Sequence, residues 1–195
     1  MKHEDHDAPG VDLSERFEEA LAWTSELHRR QARKGPAVPY VAHLLAVCSL
    51  VLEAGGDEDE AIAALLHDAV EDQGGVPRLE EIRSRYGDRV ALIVDGCTDA
   101  YESPKPAWQG RKQDFINSLD QATDSVLLVV AADKLHNAQS TIESLKAEGP
   151  PVWERFRGRE RAMWYYQQVT VAIERRGESS LTRRLRSAVD TLESL

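Results

Sequence analysis

The stretch Ala61-Ile62-Ala63-Ala64-Leu65-Leu66-His67-Asp68-Ala69-Val70-Glu71-Asp72 constrains this chain more than any other. Read as a helix, it turns about 100° around its axis at each residue. Ile62, Leu65, Leu66, Ala69 and Val70 then share one arc, and His67, Asp68, Glu71 and Asp72 fall within an opposing arc of roughly 140°. The apolar arc must be buried. The polar arc crowds three carboxylates beside an imidazole, and like charges at i,i+4 destabilise a helix. The pattern therefore predicts a helix with one face in a core and the other facing a cation, most simply a metal ion.

The rest of the chain reads in the same helical period. Its 195 residues suffice for one sizeable domain and are too few for two ordinary ones. Residues 1–11 are expected as a disordered tail and 12–195 as the domain. Asp12 and Glu15 resemble a capping box opening a helix to about Arg33, which the Gly/Pro-rich residues 35–39 break. A second helix over 40–54 is apolar almost all round, so it should be central. Gly55-Gly56-Asp57 closes it, and the helix with the opening motif follows to Asp72. Residues 73–77 read as a turn. Helices are expected at 78–86, 88–98, 111–120, 124–147, 152–176 and 179–194. Residues 99–110 form one long irregular connection, a length that is often functional. No alternating strand pattern and no internal repeat is present, so the fold expected is all-α, a single helical bundle.

Composition narrows the function classes. The chain is 42% apolar and 30% charged, as in soluble globular proteins. No apolar run is long enough to span a bilayer, and the acidic start of the chain has no signal-peptide character. A cytoplasmic setting without membrane partners is the expectation. A net charge of −10 argues against nucleic-acid binding. The local basic cluster Arg29-Arg30-Gln31-Ala32-Arg33-Lys34 still suits a small anionic substrate; within it, Arg29 and Arg30 read as a solvated helix face. Cys48 and Cys97 lie in apolar helical patterns and read as small buried hydrophobes. His136 reads as a structural or surface histidine.

His67 and Asp68 are half of a coordination shell, and two partners stand out. His43 sits in the apolar helix 40–54, where its ring needs a hydrogen bond or a metal. Asp133 ends the apolar run 126–132, and a buried acid is usually paired or bound to a cation. His43, His67, Asp68 and Asp133 would make a two-His, two-carboxylate site, whose mixed N/O ligands suit Mn²⁺, Fe²⁺ or Zn²⁺ in hydrolysis.

The order His43, His67-Asp68, Asp133 resembles the HD metal-dependent phosphohydrolase superfamily. The resemblance sharpens with His28-Arg29-Arg30-Gln31-Ala32-Arg33-Lys34-Gly35, Pro39-Tyr40-Val41-Ala42-His43, the stretch 64–72 and Ala132-Asp133-Lys134-Leu135-His136-Asn137. These look like the hydrolase half of RelA/SpoT homologues, above all the stand-alone small alarmone hydrolases of the metazoan SpoT-like type. The resemblance implies one Mn²⁺ held by His43, His67, Asp68 and Asp133. It implies that Glu71 and Asp72 position and deprotonate the attacking water and serve as acid and base. It also implies that Arg33 and Lys34 line the base pocket and approach the phosphates, and that Asn137 holds the nucleoside. Arg161 and Tyr165 resemble a late phosphate-binding Arg and a ribose- or phosphate-contacting Tyr, and Lys105 would reach a phosphate from the long loop.

The reaction so implied is removal of the 3′-pyrophosphate of ppGpp or pppGpp, giving GDP or GTP and pyrophosphate. Two alternatives stay open: the same fold acting on another nucleotide, such as a ppApp-type alarmone or the 2′-phosphate of NADPH, and a catalytically silent HD sensor module. Ala138 stands where the long enzymes often carry a hydroxyl residue. Gly74-Gly75 follows the acidic pair where many homologues have Thr or Asp, which is expected to loosen that wall. The oligomeric state is not readable from the residues.

Overall fold

The computed structural model describes residues 12–35, 37–102 and 104–195; the tail expected at 1–11 lies outside them. Among the described residues the chain forms α1 (Glu15–Leu27), α2 (Val41–Glu53), α3 (Glu58–Leu66), α4 (Ala69–Gln73), α5 (Gly75–Tyr86) and α6 (Asp88–Cys97). It continues with α7 (Trp108–Ser118), α8 (Asp124–Glu148), α9 (Arg159–Arg176) and α10 (Ser180–Ser194). Short 3₁₀ turns occupy Leu119–Gln121 and Pro150–Phe156. One isolated antiparallel bridge, Ala32 to Pro39, is the β pairing among the described residues. The all-α expectation holds.

α8 is the axis of the bundle. Thr123 opens it by accepting the Val126 N–H, and α2, α3, α6, α9 and α10 pack around it. Ile62, Leu65, Leu66 and Leu135 are fully buried in the core, each stabilising the fold by roughly 1.5–3 kcal/mol. Gly96 lets α6 approach α8 closely, since a Cβ there would lie 2.6 Å from Val126 Cγ2. The apolar arc of the opening motif is therefore core, as its periodicity predicts. Cys48 is buried and Cys97 half-buried, and neither forms a disulfide.

Several boundaries differ from expectation, and the differences build the site. α1 starts behind Ser14, whose Oγ accepts the Arg16 N–H, rather than at Asp12, and it stops at Leu27 rather than Arg33. Beyond it the chain doubles back, with the Arg33 N–H donating to Val38 O and the Tyr40 N–H to Gln31 O, each at 2.9 Å. The basic cluster is thus a hairpin-like loop, closed by the buried His28 ring stacking on Tyr40 at 5.4 Å. The motif helix is not continuous either. It breaks at His67-Asp68, between α3 and α4, where His67 Nδ1–H bonds back to Ala64 O at 2.8 Å. Farther on, α5 begins at Gly75 rather than residue 78, and α7 at Trp108, which leaves residues 98–107 as the long loop. The single helix expected at 152–176 is split, because Arg157 and Gly158 adopt left-handed φ of 61° and 112°.

Candidate metal and nucleotide site

Three buried side chains converge from three helices. His43 on α2, His67 after α3 and Asp133 on α8 each present a ligand atom, all within 4.8 Å of one another. Asp133 Oδ1 lies 3.2 Å from His43 Nε2 and 3.7 Å from His67 Nε2. Asp68 closes the group, its Oδ2 lying 3.1 Å from His67 Nε2 and 3.6 Å from His43 Nε2. All four candidate ligands are thus brought together. The break after Leu66 explains how neighbours in sequence can both face the centre: the turn redirects Asp68 toward the two imidazoles.

The surroundings orient these groups for a cation. His67 donates Nδ1–H to Ala64 O, so its lone pair resides on Nε2, which is buried and has no hydrogen-bond partner among the described residues. His43 Nδ1 lies 2.7 Å from Nδ1 of His136. Burial, then the neighbouring His43, lowers His136 to about 4, so it is neutral and can accept the His43 proton. His43 Nε2 then also offers a lone pair. Histidine ligands are commonly fixed through the second ring nitrogen in this way. His136 is consequently part of the site rather than a surface residue. Burial pushes Asp133 up, but Lys134, His43 and His67 outweigh it and hold the carboxyl well below its usual range. Tyr40 donates its hydroxyl to Asp68 Oδ2 at 2.5 Å. An orphaned buried Nε2 beside ionised carboxylates fits a divalent ion, and the donor set suits Mn²⁺, Fe²⁺ or Zn²⁺.

The acidic pair lies beside this centre and is clamped by the long loop. Lys105 Nζ reaches Glu71 Oε1 at 2.6 Å and Asp72 Oδ1 at 3.0 Å. Gln31 Nε2 donates to Asp72 Oδ2 at 2.8 Å. Arg111 approaches Glu71 at 3.6 Å and is ion-paired with Asp99, as is Lys112. Burial and then Asp99 and Asp68 push Glu71 up to about 7. Gly75 makes room for the loop: its φ is +62°, and a Cβ there would stand 2.5 Å from the Tyr101 carbonyl oxygen. Far from loosening the wall, the glycine lets loop and acidic helix touch.

The residues expected to meet a nucleotide line the same end of the bundle. Arg33 Nη2 donates to Asn137 Oδ1 at 2.9 Å, and Asn137 donates to Asp133 Oδ1, which ties the basic hairpin to the buried centre. Lys34 is exposed beside Arg33 and joins none of these bonds among the described residues. Arg161 stacks its guanidinium 4.0 Å from the Trp108 ring centroid. Tyr165 packs against the same indole at 6.1 Å, with Lys112 and Lys134 over its ring at 4.6 and 5.4 Å. Its hydroxyl is buried without a hydrogen-bond partner among the described residues. Lys134 also bonds Asp133 Oδ2 at 2.5 Å, so Tyr165 belongs to this site.

The sequence pattern of the HD domain family matches residues 20–162, which include every one of the converging ligands. The chain belongs to the HD domain family. It is 33% identical to a zebrafish (Danio rerio) protein named guanosine-3′,5′-bis(diphosphate) 3′-pyrophosphohydrolase MESH1, over 77% of this chain and 81% of that one. The Drosophila melanogaster protein of the same name is 31% identical over equal shares. A solved metazoan orthologue of SpoT, described as hydrolysing ppGpp, superposes with a TM-score of 0.75 at 30% identity, covering 92% of this chain and 96% of that one. A Listeria monocytogenes structure, lmo0812, gives 0.68 at 30% identity over 76% and 96%. The chain spans most of the length of each of these relatives.

Some members of the HD site carry no readable sequence signal. Asp99, whose side chain is 3% exposed, sits in what reads as an irregular connection. Gln31 and His28 fall inside a stretch that reads as a helix, and only the hairpin turns them toward Asp72. Trp108 reads as loop. The one available signal was Asp99 followed at some distance by Arg111-Lys112, and a pairing across that interval requires the fold.

Proposed function

We propose that this HD protein is a (p)ppGpp 3′-pyrophosphohydrolase using one Mn²⁺ held by His43, His67, Asp68 and Asp133. The observation that carries this reading is a juxtaposition: a buried two-His, two-carboxylate centre beside an acidic pair, with cationic side chains from three separate elements around it. When bound, the ion supplies Lewis-acid polarisation of a phosphoryl oxygen and acidifies a water. The remaining work falls to the chain. Arg33, Lys34, Lys105 and Arg161 neutralise a polyphosphate that would otherwise be repelled by a protein of net charge −10. Asn137, fixed between Arg33 and Asp133, orients the nucleoside. The Tyr165 hydroxyl, buried and without a partner among the described residues, would bond a ribose or phosphate oxygen. Glu71 and Asp72 manage the protons of water and leaving group. No helix among the described residues is long and apolar enough to cross a membrane, and a cytoplasmic setting suits an enzyme of free nucleotides.

Incubation of the purified protein and Mn²⁺ with ppGpp, pppGpp, ppApp and NADPH, with product identification, tests the proposal. Release of pyrophosphate from ppGpp is the expected result. Turnover of ppApp or NADPH alone would move the substrate while keeping the chemistry. No turnover of any nucleotide by metal-loaded protein would refute it in favour of a silent HD module.

A further inference from the structure

Each hydrogen-bonding atom of Gln31 is engaged, and its side chain ends at the acidic pair. Its backbone N–H donates to His28 O at 3.0 Å, and its carbonyl accepts the Tyr40 N–H at 2.9 Å. Its Oε1 accepts from His28 Nδ1 at 2.7 Å and from Gln73 Nε2 at 2.6 Å. Its Nε2 donates to Asp72 Oδ2 at 2.8 Å. The direction of this chain of bonds is forced from the Asp72 end. A carboxylate only accepts, so the amide nitrogen must face it and the amide oxygen must face His28. The His28 ring must then carry a hydrogen on Nδ1. Its Nε2 is buried with no hydrogen-bond partner among the described residues, so no acceptor there competes for that hydrogen. Nor can the ring swing away. His28 is buried and stacked on Tyr40 at 5.4 Å, and the Tyr40 hydroxyl is itself tied to Asp68. Holding a glutamine this firmly costs rotamer entropy, and its product is an Asp72 carboxylate with one fixed direction.

We propose that Gln31, locked by His28 and Gln73, is a positioning residue that aims Asp72 for its part in the proton transfers. This rests on the phosphohydrolase reading above. Under that reading Lys105, which holds the other Asp72 oxygen at 3.0 Å, is drawn to a substrate phosphate. Gln31 is then the remaining side-chain donor to Asp72 among the described residues. The same hairpin presents Arg33, which bonds Asn137 at 2.9 Å, so the segment that meets the nucleoside also aims the carboxylate. Misaiming a proton-transfer group lowers kcat rather than substrate binding, because its reach and alignment matter in the transition state.

The test has a structural arm and a kinetic arm. In long-range ¹H–¹⁵N correlation spectra of the full wild-type chain without added metal, Nδ1 of His28 should carry a hydrogen. A bare Nδ1 would overturn the proposal, because the amide oxygen of Gln31 could not then face the ring. In the Mn²⁺-loaded enzyme acting on ppGpp, Q31M keeps the length of the side chain and removes its amide. It should lower kcat by roughly tenfold or more with KM within about twofold. A kcat within about twofold of wild type would overturn the proposal, as would a loss confined to KM. Q31A repeats the comparison should Q31M not fold. H28N and H28L both lose the stack on Tyr40, but the asparagine amide can still donate to Gln31 Oε1. H28N should therefore keep kcat within about threefold of wild type, and H28L should fall about as far as Q31M. Equal losses in the two would assign His28 to packing and sink the chain of bonds. If wild type turns over no nucleotide, the functional reading fails, and the Nδ1 result still decides which way Gln31 faces.

Discussion

Replacing Gly75 with alanine should separate the stability of this fold from the geometry of its site. Gly75 starts α5 at a φ of +62°, where an added Cβ would stand 2.5 Å from the Tyr101 carbonyl oxygen. The left-handed backbone costs a non-glycine residue roughly 1–2 kcal/mol. Forcing a methyl against a backbone carbonyl adds about 1–3 kcal/mol, because neither partner is the free end of a flexible side chain. The sum is roughly 2–5 kcal/mol, and it can appear in two ways. If the loop keeps its place, melting should fall by about 4–20 °C, at roughly 2–4 °C per kcal/mol for a chain of this size. If the loop moves away instead, melting changes little, but Asp99 and Lys105 leave the acidic pair. Restoring them costs at least about 2 kcal/mol, which lowers kcat/KM by roughly 30-fold. Calorimetry and pyrophosphate release on the same samples distinguish the two. Gly110 is the control, with open space around its missing Cβ; G110A in helix α7 should be neutral or stabilising by up to about 1 kcal/mol. A G75A protein melting within about 1 °C of wild type and retaining kcat/KM within about twofold would refute the argument.

Chelation should abolish turnover and lower the melting temperature, since a ligand at about 100 times its Kd stabilises by roughly 2.7 kcal/mol; a rate unaffected by chelator would remove the metal from the mechanism. H136A leaves His43 Nδ1 without its partner and should weaken Mn²⁺ binding by about 10–100-fold in calorimetric titration, with unaltered affinity counting against the role given to His136. E71Q should make the chain more stable at alkaline pH. The folded pKa of Glu71 is raised to about 7, above an unfolded value of about 4.3. The buried acid therefore costs nothing below the unfolded value, and an increasing amount as pH climbs to about 7. The gain for E71Q should be absent near pH 4 and reach roughly 1–3 kcal/mol by about pH 8. Equal melting shifts at both pH values would show that Glu71 is not held protonated by the fold.

The relation between sequence and site follows from what each residue depends on. The core face of α3 and the helical identity of α2 and α8 were legible because periodicity reports burial directly. His43, His67, Asp68 and Asp133 were legible for a related reason: a polar group at the end of, or inside, an apolar run has to be satisfied, and few partners were on offer. Glu71 and Asp72 were found through the spacing of one short motif. The boundaries that failed were those where side chains replaced backbone bonds. α1 stops early because His28 and Gln31 are committed to Tyr40 and Asp72, and the motif helix breaks because His67 returns a bond to Ala64.

By itself, then, the order of residues determined an all-α bundle and a buried cation centre, since burial and unsatisfied polarity are local demands that a linear pattern displays. Only the tertiary structure decided what surrounds that centre. It turned the basic cluster from helix face into hairpin, set His136 behind His43, and laid the 98–107 loop on Gly75 so that Lys105 reaches Glu71 and Asp72. The cause is distance along the chain: Lys105 and Glu71 come from elements with no shared period, and their attraction arises once packing removes the water between them.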